Sequence, residues 1–312
     1  MAHRYEIYGV VLASELALQA PAVTDKAPDI SIVLADVAAN PPEALELTAA
    51  YAAISESQFW LDIPDVARFF APDLNTIHVQ PYLNSDSESV ELYLLGAVLG
   101  PLLNMRKQLV MHGNVVHVDL AGKAFRLLLC GHSAAGKSSF SAYLLKHHNA
   151  RLVADDLAVF NGKGHICSGS PRLKVWQDVA HVLALSETEL TPVRPSVAKF
   201  DWHVGAQFSS ELAPVDVVVL LASENGDGVE IEELQGAKKL QPLQKQIFRG
   251  QLANKAGLEQ LHFMLLAKYL GKTPVVRLGR PRSNKIQQNL QTMSEVLFAH
   301  LGAESVEALN DE

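Results

Sequence analysis

Cysteine is almost missing from this chain: Cys130 and Cys167 are the only two among 312 residues. That scarcity excludes a disulfide-stapled scaffold, and without a Cys-x-x-Cys pair it excludes a cysteine zinc site. It reads as a reducing compartment, so a cytoplasmic location is expected. Long apolar runs are also lacking. The longest uncharged one, Leu92 to Leu103, has 12 residues and contains Pro101, well short of the roughly 20 that cross a bilayer as a helix. Glu15 interrupts the apolar stretch from Val10 to Leu18, so no secretory leader and no membrane partner are expected. Positive charge is in deficit, with 26 basic against 34 acidic side chains and a net charge of −8. An acidic balance argues against general nucleic-acid binding, which is driven by phosphate neutralisation. Finally, charged residues make up just 19% against 48% hydrophobic, the reverse of a disordered composition.

What the chain does have is a succession of short segments. Tyr5 to Leu12 and Asp29 to Leu34 have strand composition, with a Pro21/Pro28 loop between them. Asn75 to Gln80 alternates like another strand and stops at Pro81. Ser85 and Glu88 have capping-box spacing. A small α+β unit is therefore expected over residues 1–85, and a larger domain over 86–312. The larger part reads as a helix over 86–107, strands over Leu109–Val118 and Ala124–Cys130, and a helix to His148. A strand Arg151–Ala154 follows, then a hairpin turning at Asn161-Gly162-Lys163-Gly164. Val215 to Leu221 reads as a buried strand and Leu258 to Leu270 as a helix. After a strand Val275–Leu278, Ser283 is expected to cap a last helix with Ile286, Leu290, Met293 and Leu297 on one face. The expected class is α/β.

One contiguous motif carries chemistry. Gly131-His132-Ser133-Ala134-Ala135-Gly136-Lys137-Ser138, followed by Ser139, matches the Gly-x-x-x-x-Gly-Lys-Ser phosphate loop. Its glycines let successive N–H groups turn toward phosphate oxygens, and the helix that follows adds its positive N-terminus. Lys137 supplies a full charge, and Ser138 is placed to ligate Mg²⁺. An apolar strand before and a helix after give the motif the context it requires. Asp155-Asp156 ends the next strand. In a parallel sheet its carboxylates would reach the same crevice as the loop, where a metal needs oxygen ligands and an acceptor hydroxyl needs a base.

His112-Gly113, the loop 131–138 and Asp155-Asp156, taken in that order and spacing, resemble the catalytic domain of the HPr kinase/phosphorylase-like family. The resemblance is close over about 109–160 and looser to 300. It implies a phosphate-loop kinase domain of PEP-carboxykinase-like fold, with ATP and Mg²⁺ as cofactors. It further implies that Lys137 and Ser138 hold ATP and Mg²⁺ and that His112 faces the aspartates. Asp155 is expected as the general base and Asp156 as the metal-side carboxylate. Two departures stand out: Ala134 replaces a frequent family glycine, and Gly169-Ser170-Pro171-Arg172-Leu173-Lys174 replaces the Glu-x-Arg-Gly-x-Gly signature tied to HPr handling. The expected acceptor is therefore not HPr.

Other features have plainer readings. Arg277, Arg280, Arg282 and Lys285 gather positive charge before the last helix. Of these, Arg277 and Arg280, together with Arg172 on its strand, are candidate anion or substrate contacts. Trp60, Trp176 and Trp202 read as core. The expected activity is transfer of the γ-phosphoryl group of ATP to a hydroxyl, on a Ser or Thr of a peptide or small protein. A small-metabolite kinase and a nucleotide-binding regulator are the alternatives, and oligomerisation is left open.

Overall fold

Short runs with period-two alternation build the first part of the molecule. The computed structural model describes residues 2–302 apart from 50, 195–196, 225 and 284. Its first sheet has eight strands: β1 (His3–Ile7), β2 (Val10–Ser14), β3 (Ile30–Leu34), β4 (Glu46–Ala49), β5 (Ala52–Ile54), β6 (Phe59–Ile63), β7 (Ala67–Ala71) and β8 (Thr76–Pro81). They lie in the order β1-β2-β3-β8-β7-β6-β5-β4. In β7, Ala67, Phe69 and Ala71 are buried while Arg68 and Phe70 are partly exposed, so one face lies on a core. The single strand expected over Tyr5–Leu12 is in fact a hairpin. Tyr8 and Gly9 take φ of 55° and 75°, and a tight turn with both central residues left-handed reverses the chain.

The α+β expectation for residues 1–85 is corrected, because no helix precedes Ser87 among the described residues. The sheet takes its helical cover from the next segment. α1 (Ser87–Tyr93), a π turn (Leu94–Val98) and α2 (Leu99–Met105) follow one another without a break. Val90, Leu94, Val98, Leu99 and Leu102 share a core with Leu12, Ile30, Phe69 and Val79 of the sheet. The cap of α1 is not the expected Ser85. Asp86 accepts from Ser89 N at 2.7 Å, since a carboxylate both accepts hydrogen bonds and complements the positive helix start. Ser85 Oγ instead donates to the Tyr82 carbonyl.

The second sheet carries the phosphate-loop segment. In chain order the remaining elements are β9 (Leu109–Leu120), β10 (Lys123–Cys130), α3 (Lys137–His147), β11 (Arg151–Ala154), β12 (Leu157–Phe160), β13 (Ile166–Cys167), β14 (Arg172–Trp176), α4 (Gln177–Val182), β15 (Leu190–Arg194), β16 (Val197–His203) and β17 (Val217–Glu224). After them come β18 (Glu230–Glu233), α5 (Ala237–Gln244), α6 (Gly250–Lys255), α7 (Glu259–Leu270), β19 (Val275–Pro281) and α8 (Ile286–His300). The sheet order is β13-β12-β9-β10-β17-β19-β18, with β11 also paired to β9, and β14-β16-β15 form a separate small sheet. Strand alternation sorts the core into two layers. Leu127 and Leu129 of β10 pack with Phe140 and Leu144 of α3 and with Met293 of α8. Leu128 and Cys130 pack on the other side with Leu243 of α5 and Leu266 of α7. The result is an α/β arrangement with helices on both faces of a mixed sheet.

The sheet is not the parallel one that the sequence implied. β10, β17 and β19 run parallel, but β9 opposes β10, β11 and β12. Since β10 and β11 are both antiparallel to β9, they point the same way. Their ends at Cys130 and Ala154 therefore emerge at one edge, beside His112 and Gly113. That shared edge positions the site. At the last helix, Lys285 occupies the N-cap position without a side-chain capping bond, and Ser283, two residues earlier, accepts at Oγ from Asn289 Nδ2 at 3.0 Å.

Candidate active site

The loop after β10 wraps the start of α3. Gly131 approaches the neighbouring strand so closely that a Cβ there would sit 2.7 Å from the Leu221 carbonyl oxygen. Gly136 takes φ of 105°, a conformation that a side chain disfavours. Ala134 is left-handed at 64°, a cost of about 1 kcal/mol for its methyl group. Lys137 is buried, its Nζ donating to the carbonyls of Gly131 at 2.8 Å and His132 at 3.3 Å. Burial lowers its pKa, opposed by the negative charge of Asp156. Gln246, from the segment after α5, braces the edge. Its Oε1 accepts from Gly131 N at 3.1 Å and its carbonyl accepts from His112 N at 2.6 Å.

The two aspartates differ in setting. Asp155 is buried at 5% exposure. Its Oδ1 accepts from Asn114 Nδ2 at 2.9 Å, and its Oδ2 accepts from Lys174 N and Nζ, each at 3.2 Å. A carboxylate has about four lone-pair positions, so one on Oδ1 is left for a further donor. Burial, and then the neighbouring Asp156 charge, push its pKa up. Asp156 has a left-handed backbone, with φ of 63°. Burial would raise its pKa too, but the charges of Lys174 and Lys199 outweigh burial and hold it down to about 2. Lys174 bridges the pair, reaching Asp156 Oδ2 at 3.3 Å, and the two carboxylates overcome burial to raise its own pKa. Burial and the nearby Lys137 lower the pKa of His112, which makes it neutral at pH 7. Its Nδ1 lies 3.2 Å from the Asp156 carbonyl oxygen. A carbonyl only accepts, so the proton sits on Nδ1 and Nε2 is left as an acceptor.

Two cavities meet at this pair. The larger, about 1140 Å³, is bordered by Ser133, Ala134, Gly136 to Ser139, Asp156 and Arg280. The smaller, about 180 Å³, is bordered by Tyr8, Glu91, Asp155, Asp156, Arg172 and Lys174. His112 and Asp156 border both. Of the expected nucleotide contacts, Gly131 and Ala135 are buried beneath the loop and His132 faces outward. The other six line the larger cavity. Ser138 and Asp156, the expected metal ligands, border it together. That donor set fits Mg²⁺, which usually takes one or two protein oxygens and completes its shell with phosphate and water. Among the described residues no cluster of three or more His, Cys, Asp or Glu stands ready for a metal by itself.

The candidate arginines divide. Arg280 borders the larger cavity, its Nε 3.5 Å from where a Gly136 Cβ would lie. Arg277 turns away and pairs with Glu224 at 2.6 Å. Arg172 does not reach the loop: it lies by the smaller cavity, paired with Glu91 at 2.9 Å and Asp201 at 3.4 Å. Trp60 and Trp202 are core as expected, but Trp176 is half exposed and borders the larger cavity. Sequence reasoning missed Asn114, Lys174 as the carboxylate bridge, Gln246 and Tyr8. Asn114 left a signal, a polar residue directly before the apolar pair Val115-Val116 of β9 and two residues after His112. Compared with known proteins, the chain matches no family model and no curated sequence. No helix is long and apolar enough to cross a membrane among the described residues.

Proposed function

We propose that the protein is an ATP- and Mg²⁺-dependent kinase that transfers the γ-phosphoryl group to a hydroxyl, that of a Ser or Thr in a peptide or small protein. One observation carries the reading: Lys137, Ser138, Asp156 and Arg280 border a single cavity, and Asp155 borders a second on the far side of His112 and Asp156. Phosphoryl transfer asks mainly for positioning and charge stabilisation. Lys137, Arg280 and the N–H groups at the start of α3 would bind the phosphates. Mg²⁺, held by Ser138 and Asp156, would neutralise phosphate charge when bound. Asp155, with its raised pKa and one free lone pair, would take the acceptor proton, and His112 would hold the Asp156 backbone in register. The fold family is inferred from the same residues: a PEP-carboxykinase-like phosphate-loop domain.

A small-molecule acceptor is a second reading, favoured by size. At about 180 Å³ the smaller cavity admits one side chain or a compact hydroxyl compound, below the range of roughly 300–1,000 Å³ usual for drug-sized ligands. The test is incubation with γ-labelled ATP, Mg²⁺ and cell-extract fractions. Label in protein supports the first acceptor class and label in small molecules the second, and Lys137→Ala should abolish either. No labelling of any fraction, with unlabelled ATP failing to bind by calorimetry, would sink the proposal.

A further inference from the structure

The part of the larger cavity beyond the loop offers a different kind of surface. Strand β14 alternates, with Leu173 and Val175 buried and Arg172, Lys174 and Trp176 on the other face. Trp176 thereby shares a face with Lys174, which bridges the aspartates. Its indole is 48% exposed, while Trp60 and Trp202 are each 4% exposed. Lys199 of β16 sits directly across from it in register, with Nζ 5.6 Å from the ring centroid. That is cation–π distance, and the contact fixes the tilt of the indole. The same cavity receives the aliphatic side chains of Ile286, Leu290 and Met293 from α8. A flat aromatic held by a cation, with an aliphatic wall in one continuous space with a phosphate loop, suits a flat heterocycle bearing a phosphate chain.

We propose that Trp176 is the stacking platform for the base of the nucleoside triphosphate whose phosphates lie in the 131–138 loop, a step that rests on the kinase reading above. Every nucleobase has a π-face, so stacking alone tolerates any base. The larger purine rings should therefore bind more tightly than pyrimidines at equal phosphate length.

The test uses the full chain and two probes, ATP and inorganic tripolyphosphate, the second carrying phosphates without a base. With the other two tryptophans buried, a ligand-induced change in emission that is lost in Trp176→Phe reports on Trp176. ATP should change the emission and tripolyphosphate should bind without doing so. Trp176→Ala should weaken ATP roughly tenfold and Trp176→Phe less than about threefold, since phenyl keeps a stacking face. Tripolyphosphate affinity should stay unchanged in both variants. Equal ATP affinity in Trp176→Ala and the native protein overturns the platform. A parallel loss of ATP and tripolyphosphate affinity overturns it as well, because the indole would then be shaping the loop. If neither probe binds the native protein, the phosphate-loop reading fails first, so the two failures are told apart.

Discussion

The two cavities share His112 and Asp156 yet are built in opposite ways. The loop side of the larger one comes mostly from a single stretch, residues 133–139. The smaller one is assembled from Tyr8, Glu91, Asp155, Arg172, Lys174, Asp201 and Phe248, drawn from separate parts of the chain. Its charges are already paired with one another, Arg172 with Glu91 and Asp201 and Lys174 with both aspartates. A local motif can cradle a common ligand such as phosphate. If the protein is the kinase proposed above, choice of acceptor would belong to the part that needs the whole fold.

Substitutions in each cavity in turn should have distinct effects. Asp155→Asn should cut transfer by about 10²–10⁴-fold, the usual contribution of a general base, with MgATP affinity nearly unchanged. Single-turnover assays beside calorimetry check this, and an undiminished rate would remove Asp155 from the chemistry. Lys137→Ala acts on the other side. Losing a charged donor to phosphate should weaken ATP binding by roughly 10–150-fold with or without Mg²⁺. Ser138→Ala should weaken it only when Mg²⁺ is present, and identical losses in both conditions would refute the division of roles.

The pH profile joins the two. Asp155 must be ionised to accept a proton, and burial with the Asp156 charge raises its pKa. The acid limb of the transfer rate should therefore lie above the ordinary carboxylate range. Asp156→Asn removes the neighbouring negative charge, so the limb of the residual activity should move to lower pH. A limb that stays in place, or rises, would mean that another group is titrating. A smaller effect is expected at Tyr8, whose ring borders the acceptor side. Losing one hydroxyl in Tyr8→Phe should raise the acceptor KM by about 2–12-fold, the worth of one hydrogen bond, and leave ATP affinity alone. Smallest of all, Ala134→Gly should change stability by less than about 1 kcal/mol, because relief of the left-handed strain is offset by the extra freedom of the unfolded glycine.

The same contrast explains what could be read from the sequence. The phosphate loop, α3, the Asp-Asp pair and the hairpin after it were legible because each is specified by neighbours in the chain. Trp176 was not. Its type suggests core, and the alternation of β14 alone does not tell which face looks into a cavity. Arg172 was legible only as a basic residue on a strand: its partners, Glu91 and Asp201, and the smaller cavity it borders are assembled from residues distant in sequence. In the first sheet, the stretches Glu46–Ala49 and Ala52–Ile54 contain Ala, Leu and Glu, good helix formers, yet they pair as β4 and β5. Tertiary pairing overrides a weak local preference there.

The β1–β2 turn, finally, bears on the order in which the molecule can be completed during synthesis. Tyr8 N donates to the Ser168 carbonyl at 2.8 Å, and Arg172 Nη1 donates to Gln19 Oε1 at 3.2 Å. An emerging chain tends to fold from its N-terminal end, so the first sheet and its helices can form while these partners are still unmade. The phosphate loop can close once β10 and α3 have followed. The smaller cavity, by contrast, exists only after Arg172, Lys174 and Asp201 have been added and have met a turn made long before them. On the proposed kinase reading, a nascent or truncated chain would thus acquire the part proposed to hold ATP before the part proposed to receive the acceptor.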